Sequence, residues 1–211
     1  MPGAVTFVET MCGSTHGCPQ TRLPNWSDDP DGYDTAIVRV ATAYPAESPA
    51  TAVCLRDLTL EVDPVPAGDD GLAGVVRAGT VRLGDQEYRV LAGRFVALAA
   101  SPVRGRRMRY RITAETGTGE RVDVAGVKIV TGRPWRWWAD TSRMFLVVSI
   151  LDRGSMAAGT VRLAMPAFAR QLTTLRGRPG DVMRFVARFV TRLVLPAGAR
   201  ARQRASATAS E

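Results

Sequence analysis

From residue 53 onward, apolar side chains recur at every second position, the period of a β-strand with one buried face. "LRDLTLEVD" places Leu58, Leu60 and Val62 on one face, with Asp57, Thr59 and Glu61 on the other. "GVVRAGTVRLGDQEYRVLAGRFVAL" reads as two strands around a turn at Gly84 and Asp85. In "RRMRYRITAETGTGERVDVAGVKIV", Met108, Tyr110 and Ile112 alternate with Arg107, Arg109 and Arg111. The chain turns at "TGTGE", and Val122, Val124 and Val127 return. "RMFLVVSIL" and "MAAGTVRLAM" continue the plan. Short, evenly spaced strands with glycine at the turns predict a mainly β, antiparallel meander. About eight such strands must bury one face, and closing them into an up-and-down, calycin-like β-barrel does so while removing exposed edges. A β-sandwich is the alternative; the short, sequential connections favour the barrel.

The period changes near the end of the sequence. Pro166 and Gly177 bracket a short helix in "MPAFARQLTTLRG". "GDVMRFVARFVTRLVLP" follows, with Asp181 as a cap and Pro196 as a stop. Arg184, Arg188 and Arg192 form a stripe on it, and Phe185, Val186, Phe189, Val190 and Leu193 cover much of the rest. The expected organisation is a barrel domain over 1–177, an amphipathic helix over 178–196 packed on or beside it, and a disordered basic tail over 197–211. The stripe has two readings: arginines in water on a helix packed across the barrel, or a face for a membrane surface or partner. Residues 13–50 are less legible. "PNWSDDPDG" is rich in turn residues, "YPAESPA" is a loop punctuated by proline, and "TAIVRVATA" fits a strand or a helical turn.

Composition narrows the classes. The 211 residues are 45% hydrophobic and 23% charged, enough for a sizeable core in an ordinary globular chain. No apolar run approaches the ~20 residues that span a bilayer. "MPGAVTFVETM" lacks the regions of a secretory signal, so the expected compartment is the cytoplasm, with peripheral membrane contact through the basic helix. The net charge is +8, but Lys128 is the only lysine and the arginines are spread along strands. With abundant Ala, Gly, Val and Pro, this reads as the codon usage of a GC-rich genome, and no nucleic-acid partner is expected. Cys12, His16 and Cys18 in "CGSTHGC" match no zinc spacing and no second ligand pair follows, so no metal is expected. That stretch reads as a flexible loop with two free thiols or a local disulfide, and Cys54 as a small buried hydrophobe. Gly117 and Gly119 sit in a hairpin turn rather than a phosphate loop, so no nucleotide cofactor follows. His16 has no nucleophile placed by a triad motif. The pairs Asp28–Asp29 and Asp69–Asp70 read as solvated turn residues.

Two stretches carry candidate chemistry. Glu9 lies between apolar residues on the first strand, in "TFVETMCG". Pointing inward it can serve as an acid or base; pointing outward it is a surface charge. Glu9, Asp140 and Tyr110 are the candidate groups of a small cofactor-free isomerase or hydratase. "RPWRWWADTSRMF" gathers Trp135, Trp137 and Trp138 among Arg133, Arg136 and Arg143. These tryptophans can gate an apolar cavity, plug a barrel end or stack on bases. With Met108 and Tyr110 they form the candidate ligand-binding set.

Several blocks also resemble one family in order: "FVETMCG", with Phe7, Glu9, Met11 and Gly13; "LTLEVD"; "GTVRL" leading to "LAGRFVAL"; "RMRYR" with the later Gly126 and Lys128; "WWADTSRMF", with Trp138, Asp140 and Thr141; and "AGTVRLAMPAFARQLTTLRG". Over residues 5–177 the chain resembles the β-rich accessory segment of actinobacterial proteins that carry a flavin oxidoreductase module of the glucose–methanol–choline type, related to cholesterol oxidase. The flavin-binding and hydrolase modules have no counterpart here, and neither does "STHGCPQTRLPNWSDDP". The resemblance therefore carries over no oxidoreductase activity and no catalytic residue. It implies a standalone, non-enzymatic barrel that binds an apolar, lipid- or steroid-like molecule in connection with such oxidoreductase systems. The alternatives are a docking module for a flavoprotein or membrane surface, and the cofactor-free isomerase or hydratase.

Overall fold

The structure is a computed structural model that describes residues 3–43, 49–65, 71–101 and 105–194. Most of the "YPAESPA" loop, the Asp69–Asp70 pair, Pro196 and the tail at 197–211 lie outside the described residues. The two-residue period becomes eight strands: β1 (Val5–Cys18), β2 (Thr51–Val62), β3 (Leu72–Leu83), β4 (Gln86–Ala100), β5 (Arg106–Glu115), β6 (Arg121–Val130), β7 (Arg143–Ile150) and β8 (Ser155–Arg162). Each pairs antiparallel with the next, and β8 returns to β1, so the sheet is a closed barrel and not a sandwich. The inward set includes Leu58, Leu60 and Val62 of β2, Met108, Tyr110 and Ile112 of β5, and Val122 and Val124 of β6. Val127 faces the other way, into a second cluster outside the barrel. A bulge at Asp57, whose φ is +49°, resets the alternation of β2, so that Leu55 and Leu58 both point inward.

"CGSTHGC" is strand, not loop. Cys12–Cys18 pairs with Arg162–Met156 of β8 and forms the seam of the barrel. Gly13 on β1 and Gly159 on β8 serve close approach. A Cβ on Gly13 would run into the Thr160 carbonyl oxygen, and one on Gly159 into that of Ser14. Cys12 is disulfide-bonded to Cys54 across β1 and β2, with Cα atoms 4.0 Å apart, and Cys18 is the free thiol. Cys54 is thus half-buried on the outer face rather than a core residue.

"TAIVRVATA" belongs to a helix, α1 (Pro30–Ala43). The Asp29 carboxylate caps it by accepting from the Gly32 N–H at 2.9 Å. Tyr33, Ile37 and Val40, at helical spacing, pack on the outer face of the barrel against Val127, Phe145, Val147 and Ala158. The same helix carries Asp34 into contact with the outward arginines of β5. Arg109 donates to both carboxylate oxygens at 2.8 and 2.7 Å, and Arg107 lies 3.6 Å away. Burial lifts the Asp34 carboxyl above its ordinary value, against the pull of Arg109 and Arg107. The arginine face of β5 is therefore largely buried under α1.

The remaining helices gather at the end of the barrel where β1 begins and β8 ends. A 3-10 turn (Pro134–Arg136) leads into α2 (Trp137–Ser142), and α3 (Met165–Thr173) and α4 (Pro179–Val194) follow β8. The pairing of β8 with β1 stops at Cys12. Beyond it the chain leaves the wall as α3 and returns to β1. There Thr174 Oγ1 accepts from the Val8 N–H at 2.9 Å, and Thr6 and Arg176 exchange backbone bonds at 2.9 and 2.8 Å. α4 then crosses the mouth. Phe185 enters the core beside Phe7, and Arg188 and Arg192 donate to the Pro64 and Leu98 carbonyls on the barrel rim. Arg184 pairs with Asp181 on its own helix at 2.8 Å.

Removing Asp34 leaves the buried Arg109 guanidinium without its bidentate partner and takes the nearer acid from Arg107. Asp34→Ala should cost about 3–5 kcal/mol of stability. Chemical denaturation measures this, and a loss below about 1 kcal/mol would show that the cluster does not hold α1 to the barrel.

Candidate ligand site at the barrel mouth

Strand alternation brings three polar side chains together inside the mouth. On β1, Val5, Phe7, Glu9 and Met11 all point inward. Met108 and Tyr110 do so on β5, and Lys128 faces Met108 across the β5–β6 ladder. Tyr110 lies opposite Gly126, where a Cβ would come within 2.7 Å of Met144 Sδ, so the glycine leaves this layer free for larger neighbours.

The Glu9 carboxylate accepts from Lys128 Nζ at 2.6 Å and from the Tyr110 hydroxyl at 2.9 Å. Lys128 Nζ also lies 5.3 Å from the centroid of the Tyr110 ring. Exposure is 2% for Glu9, 1% for Lys128 and 0% for Tyr110. A charge so buried persists only when paired, and here each charge is the other's partner. Burial, then the neighbouring Glu9 carboxylate, pushes the Tyr110 phenol well above its ordinary value, so it remains a proton donor.

Above this cluster is a cavity of about 450 Å³ between the strands and α2, α3 and α4. Its walls are almost entirely apolar, with Phe7, Met108 and Leu163 among those walls and Phe168, Leu175 and Phe189 from α3, α4 and the connection between them. Among the described residues, Glu9 and Lys128 are the only acid and base that line it.

The structure divides the predicted site residues. Glu9 and Tyr110 meet, while Asp140 does not join them. Asp140 is buried on α2, accepts from the Thr131 N–H and hydroxyl and pairs with Arg136 at 3.4 Å, which ties α2 to the end of β6. Of the three tryptophans, Trp137 lines the cavity and is 42% exposed at its rim. Trp138 packs behind it on Phe168, with ring centroids 5.2 Å apart. Trp135 is 79% exposed and lies outside the lining. Consecutive residues of a helical turn point in different directions, which separates the cluster. Met108 lines the cavity. Lys128 lines the cavity as well, a residue that sequence reasoning did not place in the site. The available signal was its parity with Val122 and Val124.

Among the described residues no group of three or more His, Cys, Asp and Glu side chains comes together as a metal site, and no helix is long and apolar enough to cross a membrane. Comparison with protein families, curated proteins and solved structures finds no match to this chain.

The buried phenols make stability depend on pH. An unfolded tyrosine ionises near pH ~10, whereas burial raises Tyr110 and Tyr33 in the folded protein. Above that pH the unfolded state sheds protons that the folded state keeps, so stability falls as pH rises. Tyrosinate absorbance should show a delayed step coincident with unfolding, and Tyr110→Phe should shrink it. Ionisation of every tyrosine near pH ~10 in the folded protein would contradict the burial of Tyr110.

Proposed function

We propose that this protein binds an apolar small molecule, lipid- or steroid-like, in the mouth of its barrel and performs no chemistry on it. One observation carries the reading: a cavity of about 450 Å³ with apolar walls and one buried polar cluster at its base. Ligand sites typically span about 300–1,000 Å³ and combine apolar lining with a few converging polar groups. Small barrels of about eight strands hold either a packed core or one ligand. This barrel is packed over most of its length and open at one end. Trp137, Leu172, Val186 and Val190 line the cavity and are also exposed, which supplies an apolar entrance.

The strand blocks that resemble the accessory segment of glucose–methanol–choline-type proteins support a link between the ligand and such oxidoreductase systems. In this reading a flavoprotein or a membrane surface is where the ligand is exchanged.

A second reading, a cofactor-free isomerase or hydratase, draws on the meeting of Glu9 and Tyr110 in the cavity. Binding is the better reading. Glu9 already accepts from both Lys128 and Tyr110, and Asp140, the other carboxyl of that scheme, is engaged elsewhere.

Trp137→Ala should weaken binding of a neutral apolar dye, N-phenyl-1-naphthylamine, by about tenfold, the loss of one aromatic wall. The melting temperature should stay within a few degrees of the parent, because Trp137 is partly exposed. Unchanged dye affinity would remove the mouth as the binding site.

A further inference from the structure

We propose that the molecule held in the mouth carries a neutral oxygen at its buried end, an alcohol or a ketone, and that the site discriminates against carboxylates. The inference rests on the binding function just described and specifies its ligand class.

Two observations require a polar group on the ligand. Lys128 is 1% exposed, and its ammonium has three N–H donors. One goes to Glu9, and among the described residues Nζ makes no other hydrogen bond; its second neighbour is the face of Tyr110. Across the cavity, the side-chain oxygen of Gln171 on α3 is shielded from water and has no hydrogen-bond partner among the described residues. A buried donor or acceptor left unpaired is costly, so the Lys128 donors favour a ligand oxygen that accepts, and Gln171 Oε1, an acceptor, favours a ligand hydroxyl that donates.

Charge decides which oxygen. Among the described residues, Glu9 and Lys128 are the only acid and base lining the cavity, and they pair with one another at 2.6 Å. A carboxylate ligand would put two negative charges beside one positive charge in a desolvated space, an arrangement that low dielectric penalises strongly. A hydroxyl can accept from Lys128 Nζ and donate to a Glu9 oxygen, and a ketone can accept from Lys128. Neither changes the net charge. Glu9 thus acts as a specificity-determining residue, holding the field of Lys128 at zero.

Displacement of N-phenyl-1-naphthylamine at neutral pH by 1-dodecanol, 2-dodecanone and dodecanoate tests this. In the parent protein the alcohol and ketone should displace the dye at concentrations about tenfold lower than dodecanoate, the effect of one uncompensated charge. In Glu9→Gln, which keeps the shape and leaves Lys128 unneutralised, the order should reverse. If that variant does not fold, Glu9→Gln/Lys128→Met leaves no charged side chain among the described residues lining the cavity. It should bind the dye like the parent and lose about fivefold in affinity for dodecanol and dodecanone, the loss of about one hydrogen bond. Dodecanoate equal to or stronger than dodecanol in the parent overturns the proposal while leaving apolar binding intact. An unchanged order in folded Glu9→Gln, or unchanged alcohol and ketone affinity in the double variant, overturns it as well. Displacement by none of the three overturns both the proposal and the binding function beneath it.

Discussion

Every other feature of the molecule depends on the seam at which β8 returns to β1. An open sheet of eight strands would leave two edges and an exposed apolar face. Closure removes both and defines an inside. The seam works because its backbones approach closely at Gly13 and Gly159, where a side chain on either strand would strike the carbonyl of the other. It is also incomplete. β8 covers only the Cys12–Cys18 half of β1, and Thr174–Arg176 pairs with the remainder after the excursion of α3. The cavity lies where the wall is replaced by helices, so the same strand mismatch that interrupts the barrel creates the site.

Buried charge appears twice, with different consequences. Outside the barrel, Asp34 binds two arginines of β5, and the cluster fastens α1. Inside it, Glu9 and Lys128 form a pair with Tyr110 at the base of a cavity. The outer cluster is covered by a helix. The inner pair faces a space that a small molecule can fill, and this difference makes the second a candidate site and the first a structural clasp.

The fold class was legible because alternation survives from β2 to β8, and barrel closure follows from counting short sequential strands. Alternation failed where geometry interrupts it. The bulge at Asp57 makes Leu55 and Leu58, three positions apart, both point inward. α1 was ambiguous because Thr35, Ile37, Val38 and Val40 are β-branched and weak helix formers, and packing on the barrel overrides that preference. The glycines of "CGSTHGC" suggested a loop, although the stretch is a strand and Gly13 serves close contact with β8. Glu9 shared its parity with Phe7 and Met11, which is the inward face, yet an isolated carboxylate there had no visible counterion. Its partner lies 119 residues away, and lysine is among the residues least often buried. Pairwise proximity of this kind emerges only from the closed topology. Asp140 shows the converse, since its place in a conspicuous motif gave no hint that Thr131 and Arg136 hold it.

The incomplete seam also constrains how the protein is made. β1 leaves the ribosome before the other seven strands, while the residue that bonds Val8 lies 166 positions further along the chain. Until β8 and Thr174–Arg176 have emerged, one edge of β1 stays open on the nascent chain, and Glu9 waits without Lys128 for much of that interval. Contacts so distant in sequence close slowly and leave an exposed strand edge in the meantime. The cavity takes shape only once α3 and α4 have folded over the end of the barrel.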